Sequence, residues 1–346
     1  MSTVAGLIPS SSRRRIHKVV LWLKRIGLGL LITVIMLCTT GFIYQAVATE
    51  ADKRNYPPPG QLIDVGGYRL HLYCVGEGSP TVILDAAFPA QVSNWVWVQS
   101  ALSPHTQVCA YDRAGHGWSD PGPEPRDAIQ HARELHTLLT NANTSPGPYI
   151  LVGHSLGGLY VRMFADQYPD EVVGMVLIEG SHPDAWKRLD LPEGVGVDPN
   201  MLAVAPTLAR FGIFRLRLFP VPLADADLPP QQRAEEQAYF DSAKYFDTLL
   251  AVNTAFPLAL EQVRQTHDLG SRPLVVVIGS ASDNAAGLAR ELQDDLAQLS
   301  SNSATRVIEG ATHSGLVDQR DHALQTSAAI LEVLEAARTG EPLAQK

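Results

Sequence analysis

From Gln61 onward the sequence predicts an α/β fold: an eight-stranded, mostly parallel sheet with helices on both faces. Three observations lead there. Short apolar, β-prone runs alternate with stretches of helical spacing. One strand-like run, Tyr149-Ile150-Leu151-Val152, is joined to a helical one, Leu159 to Ala165, by Gly153-His154-Ser155-Leu156-Gly157-Gly158. The alternation breaks between Ser181 and Gly270, where Pro-rich turns, an apolar and basic stretch (Leu208 to Val221) and a helical pattern from Gln231 to Ala251 mark an insertion after the sixth strand.

The elements follow in order. Ile26 to Thr49 contains no charged side chain. At about 1.5 Å per residue such a run can cross a bilayer core of about 30 Å. Arg13, Arg14, Arg15, Lys18, Lys24 and Arg25 precede it, which favours a cytoplasmic N-terminus and a domain on the far side. Ala46-Val47-Ala48 also has the form of a signal-peptide cleavage site, which would release a secreted domain near Ala48. The length of the run favours an uncleaved anchor. The expected organisation is a basic cytoplasmic segment (1–25), a transmembrane helix (26–48), a linker (49–60) carrying Tyr56-Pro57-Pro58-Pro59-Gly60, a core (61–180), the insertion (181–270) and the rest of the core (271–346). Strands are expected near 62–65, 68–75, 81–85, 107–111, 149–153, 175–179, 273–279 and 304–309. Helices are expected near 126–142, 156–168, 285–300 and 320–337.

Composition sets wide bounds. The chain has 346 residues, 45% of them hydrophobic, which suits one large α/β domain plus an extra segment. A net charge of −9 argues against nucleic acid as a partner. No C-x-x-C or His/Cys cluster suggests a metal site.

The chemistry centres on Ser155. A serine on a strand-to-helix turn sits in strained backbone, and glycines two residues to each side, Gly153 and Gly157, let the chain turn sharply. The turn lifts the hydroxyl above the sheet edge and aims a helix N-terminus at it. With Tyr111-Asp112-Arg113-Ala114-Gly115-His116-Gly117-Trp118-Ser119 upstream and Gly310-Ala311-Thr312-His313-Ser314-Gly315 near the end, the chain resembles the α/β-hydrolase fold superfamily from about Gln61 to the C-terminus. It departs from that family in Ala114, where glycine is usual, and in Asp85-Ala86-Ala87-Phe88, where the family has His-Gly-aromatic after the strand.

The resemblance implies a cap over the active site formed by the insertion, and a triad in the chain order Ser, acid, His. A serine hydroxyl needs a base. Of eleven histidines, His313 lies in the matching loop after the last strand. His154 points away from the nucleophile, and His116, in the Asp-Arg turn, and His182, after the sixth strand, read as structural, with lining the pocket as the other reading for either. The acid is open among three carboxylates. Asp283 is the first after the seventh strand, on a loop about a residue longer than usual, while Glu179 ends the sixth strand with Asp184 close behind. The oxyanion donors would be the backbone N–H groups of Phe88 and Leu156. Asp112 and Arg113 read as loop-fixing groups, and Trp95 and Trp97 as core.

Serine at the elbow argues against the aspartate-nucleophile dehalogenases and epoxide hydrolases of this fold. What remains is a serine hydrolase cleaving a carboxylic ester or related acyl bond through an acyl-enzyme, acting on a small or lipid-like acyl substrate with no cofactor. An acyltransferase or perhydrolase would use the same triad, and a hydrolase-fold domain that binds a ligand without turnover is the reading from another class. Family sheet order makes the strands carrying Cys74 and Cys109 neighbours, so in an oxidising compartment the two could form a disulfide; two buried thiols is the other reading.

Overall fold

The computed structural model describes residues 10–142, 147–190, 199–217, 227–282 and 287–344. A long N-terminal helix, α1 (Ser10–Asn55), leads into an α/β unit. Its strands are β1 (Gln61–Asp64), β2 (Arg69–Val75), β3 (Thr81–Asp85), β4 (Val108–Asp112), β5 (Tyr149–His154), β6 (Val172–Ile178), β7 (Leu274–Gly279) and β8 (Ser303–Ile308). Helices α2 (Val96–Leu102), α3 (Ala128–Asn141) and α4 (Gly157–Gln167) alternate with the first strands. After β6 come α5 (Ala185–Arg188), α6 (Pro199–Arg210), α7 (Pro230–Phe240) and α8 (Ala243–Arg264). Helices α9 (Gly287–Ala297), α10 (Gly315–Asp318) and α11 (Arg320–Thr339) complete the unit.

The eight strands form one sheet in the order β1-β2-β4-β3-β5-β6-β7-β8. β2 is antiparallel to both its neighbours and the remaining pairs are parallel. β3, β4, β5 and β7 are buried at every position. Helices cover both faces there, so these strands are near-continuous apolar runs rather than alternating ones. Side-chain direction still alternates. Ile83, Leu151, Leu177 and Val276 pack with α3, α4 and α8, while Val82, Leu84, Ile150, Val152 and Val176 pack with α2 and α11 on the other face.

Cys74 and Cys109 are register partners across β2 and β4. Their Cα atoms lie 4.0 Å apart and their sulfurs are bonded. The segment 49–60, expected as a linker, is helical through Asn55. Ala51 is a strong helix former, and Pro57, Pro58 and Pro59 are the first residues that cannot continue the helix. The helical pattern from Gln231 to Ala251 is two helices rather than one. The break falls at Asp241-Ser242, and the Ser242 hydroxyl restarts the chain by accepting the Tyr245 N–H at 3.2 Å.

One helix among the described residues, α1, is long and apolar enough to cross a membrane. Its upper end is docked. Gln45 is buried and its amide donates to the Asp241 carbonyl at 2.8 Å. Arg215 bonds Gln45 and pairs with Asp52 at 2.7 Å. The cap is centred on Leu202, Ala205, Ala209, Phe214, Tyr239, Phe240, Tyr245, Phe246 and Leu249, with Phe88 of the core packed against it.

Candidate active site

Parallel β5, β6 and β8 deliver Ser155, Glu179 and the His313 loop to the same edge of the sheet, the carboxyl edge. In open α/β sheets that edge is where ligands bind. Ser155 follows the last residue of β5 and has a left-handed backbone (φ 52°). Its N–H donates to Ile178 O at 3.0 Å and its carbonyl accepts from Gly158 N–H and Ser181 N–H, which fixes the turn. The flanking glycines are required by contact. A Cβ on Gly153 would meet Gly158 backbone at 2.7 Å, and one on Gly157 would overlap the Asp85 carbonyl. Strain of this kind persists only where the surroundings over-determine it, and it clusters at functional sites.

Among the described residues, the carboxylate in contact with His313 is Glu179. Its Oε2 lies 2.5 Å from His313 Nδ1, and the residue is 2% exposed, with φ 40° in the same left-handed region. Gly279 N–H donates to Oε1 at 2.9 Å and the Ser282 hydroxyl to Oε2 at 2.8 Å. Burial pushes the Glu179 pKa up, but the His313 contact and these donors outweigh it and hold the group below the ordinary carboxylate range. Asp283 lies outside the described residues. Its neighbour Ser282, in the loop after β7, serves Glu179 as a donor. Asp184 is turned outward and pairs with Arg264 at 2.7 Å.

Ser155, Glu179, His182, Trp186 and His313 line a cavity of about 210 Å³. His313 also lines a second one of similar size, with Ala86, Phe88, His154, Phe240 and Asp318. Phe88 N–H and Leu156 N–H, the expected oxyanion donors, have no hydrogen-bond acceptor among the described residues. The loop that carries Phe88 is fixed by Arg113. Its guanidinium pairs with the buried Asp85 carboxylate and donates to Ala86 O at 2.6 Å and Ala87 O at 3.2 Å. Tyr111 OH donates to the other Asp85 oxygen at 2.6 Å. Asp112 accepts from Val92 N–H and Trp118 N–H and contacts His71 Nδ1 at 2.9 Å, so it too is a loop-fixing group. Trp95 is fully buried in the core, while Trp97 donates to Asp227 O at 2.9 Å.

Two side chains, Glu236 and Asp318, escape sequence reasoning, and His154, read from the sequence only as pointing away from the nucleophile, makes a contact of its own. His154 Nε2 lies 3.0 Å from the His313 carbonyl. Burial, and next the neighbouring His313, push its pKa down to about 3, so the ring is neutral and Nε2 carries the donated proton. Glu236 and Asp318 line the second cavity. Burial raises both, and the nearby Glu236 adds to the rise at Asp318, which reaches about 8. Neither residue stands in a motif, so no local pattern signals them. His116 is buried against Phe88, and burial followed by the Arg113 charge pushes its pKa well down. Among the described residues no group of three or more His, Cys, Asp or Glu side chains is placed to hold a metal ion.

Residues 83–325 match the model of the alpha/beta hydrolase family. The uncharacterized protein YbdG of Bacillus subtilis is 25% identical over 199 residues, which cover 56% of this chain and 60% of YbdG. The chain thus spans less than two thirds of the length of the curated relatives it first matches. Among solved structures, Cfl2 of Burkholderia cenocepacia superposes with a TM-score of 0.60 at 19% identity, over 78% of this chain and 94% of that one. A bromoperoxidase from Bacillus anthracis gives 0.58 at 21% identity, over 80% and 99%.

Proposed function

Starting from a chain that belongs to the alpha/beta hydrolase family, we propose that it is a membrane-anchored serine hydrolase that cleaves a carboxylic ester or related acyl bond. Ser155 is the nucleophile, His313 the base and Glu179 the acid. The observation that carries the reading is the His313–Glu179 contact in the wall of the cavity that Ser155 shares.

Ser155 Oγ attacks the substrate carbonyl while His313 Nε2 takes its proton. Glu179, held as the carboxylate by its donors, fixes the tautomer with Nδ1–H toward itself and stabilises the imidazolium that forms. The oxyanion develops against the free N–H groups of Phe88 and Leu156, held in place by Arg113 and by the start of α4. Collapse expels the alcohol, which leaves with the proton from His313. Water activated by the same histidine then attacks the acyl-Ser155 carbonyl and regenerates the serine. The cap, with its aromatic cluster over Phe88, selects a small or lipid-like acyl substrate.

α1 is read as the anchor, with its basic flank in the cytoplasm and the catalytic unit on the other side of the membrane. The Cys74–Cys109 disulfide supports an oxidising compartment. A fluorophosphonate probe tests the core of the proposal. Labelling of wild type, no labelling of Ser155→Ala, and loss of p-nitrophenyl ester hydrolysis in that variant are expected. A folded wild type that neither labels nor turns over esters would leave a domain that binds without catalysis.

A further inference from the structure

We propose that the outer face of α6 lies in the lipid interface of the bilayer that α1 crosses, so that the cap itself is a second membrane contact. The proposal rests on the reading of α1 as an anchor.

The first observation is that α6 exposes apolar side chains as well as burying them. Its buried stripe, Leu202, Ala205 and Ala209, packs into the aromatic cap cluster. The same periodicity, shifted by one residue, puts Met201, Val204 and Leu208 in the open at 60%, 50% and 37% exposure. Leu216, in the turn that follows, is 52% exposed. A helix on a water-facing surface carries polar residues on its outer side. Here no charged residue occurs before Arg210. The arginines of this stretch are paired with acids of the cap and α1: Arg210 with Asp247, Arg215 with Asp52 and Arg217 with Asp241. Apart from Thr207, the outer face is left with apolar side chains.

The second observation sets depth and so names the occupant. The turn after α6 touches α1 at Gly41, where an added Cβ would lie 2.5 Å from Phe211 O. Counting about 20 residues from Ile26 as the span of the hydrocarbon core brings its edge to about Gln45. Gly41 then lies about 6 Å inside that edge at ~1.5 Å per residue. Interfacial amphipathic helices bury their apolar face by about 5–10 Å, which is the level this contact gives the end of α6. Arg215 reaches Gln45 and Asp52 farther along α1, at and beyond the same edge. The apolar face is therefore continuous with the membrane-crossing surface of α1, and lipid is its occupant.

The test uses the full chain in phosphatidylcholine–phosphatidylglycerol vesicles, in a Cys38→Ser background under non-reducing conditions so that Cys74 and Cys109 stay bonded. An environment-sensitive fluorophore is placed at Val204→Cys and, separately, at Leu216→Cys. Met36→Cys marks α1. Glu335→Cys, one turn from the Arg338 that bonds Ser79 O at the opposite edge of the sheet, marks the water-exposed side. Blue-shifted emission quenched by shallow doxyl-lipid at 204 and 216, with no lipid quenching at 335, is the expected result. Labels at 204 and 216 that behave like 335 while Met36 is quenched would overturn the proposal and leave the anchor intact. Labels shielded from aqueous iodide yet blind to doxyl-lipid would give the face to a second copy of the chain and also overturn it. Absence of quenching at Met36 would remove the anchor, and the proposal with it.

Discussion

Two walls of the space around His313 hold a buried carboxylate each, and they treat it in opposite ways. Glu179 and Asp318 are 2% and 4% exposed. Glu179 sits at a strand end among donors, His313, Gly279 N–H and the Ser282 hydroxyl, and stays charged. Asp318, on the short α10, faces Glu236 and is pushed up to about 8. Burial is similar, so the difference lies in what the surroundings donate. A carboxylate can be kept ready to stabilise a cation only where the backbone and neighbours supply protons to it.

The largest test of that comparison is Glu179→Gln. It keeps the size of the side chain and removes the charge facing His313, so kcat should fall on the order of the ~10⁴ seen when a triad aspartate loses its charge. Asp283→Asn should cost far less. Ester turnover by both purified variants decides, and the opposite ranking would move the acid to the loop after β7.

Removal of the Cys74–Cys109 bridge by double serine substitution should act on the fold and spare the site. Urea unfolding should show a loss of about 2–4 kcal/mol. Turnover per folded molecule should stay at the wild-type level, because the bridge ties β2 to β4, away from the β5, β6 and β8 ends.

The two carboxylates should also tilt the pH dependence of stability in opposite directions. Asp318 has a folded pKa raised above its ordinary 3.8, so its protonated form stabilises the native state fully below that value. The contribution is lost as pH rises through about 8, because the unfolded chain has already released the proton. Glu179, lowered in the folded state, contributes above the ordinary carboxylate pKa and loses its contribution as pH falls. Asp318→Asn should therefore flatten the decline of stability between about pH 4 and pH 8, a slope of at most ~1.4 kcal/mol per unit. Denaturation midpoints across that range would show it, and an unchanged slope would mean that Asp318 is solvated.

The smallest expected effect belongs to His154→Phe. Loss of one neutral hydrogen bond to the His313 carbonyl, worth about 1 kcal/mol, should lower kcat by up to about tenfold with KM little changed. A larger loss would mark His154 as more than a positioning residue.

These contrasts also show what could be read before the structure. The sheet was legible because buried parallel strands are apolar runs of fixed length between turns, as Leu274–Gly279 is. Ser155 was legible because its turn demands glycine at set offsets, and Arg113 because its motif marks a loop-fixing turn. The acid was harder. β6 and β7 are adjacent and end at the same edge, so Glu179 and Asp283 are both placed near His313 by sequence order. Among the described residues it is Glu179 that contacts His313, with the Ser282 hydroxyl as a further donor to it, and Asp283 lies outside them. Least legible was the cap. The pairing of Gln45 and Asp52 on α1 with the Asp241 and Arg215 region depends on contacts more than 160 residues apart.

The arginine behind the loop that carries Phe88 has a consequence for redesign. Ala86 and Ala87 are among the residues that line the cavity, and their loop is held through their carbonyls by a guanidinium on another strand end. Architecture and lining are thus assigned to different residues. Substitutions at 86 and 87 are expected to reshape this cavity, while the course of the loop stays in the keeping of Arg113 and Asp85.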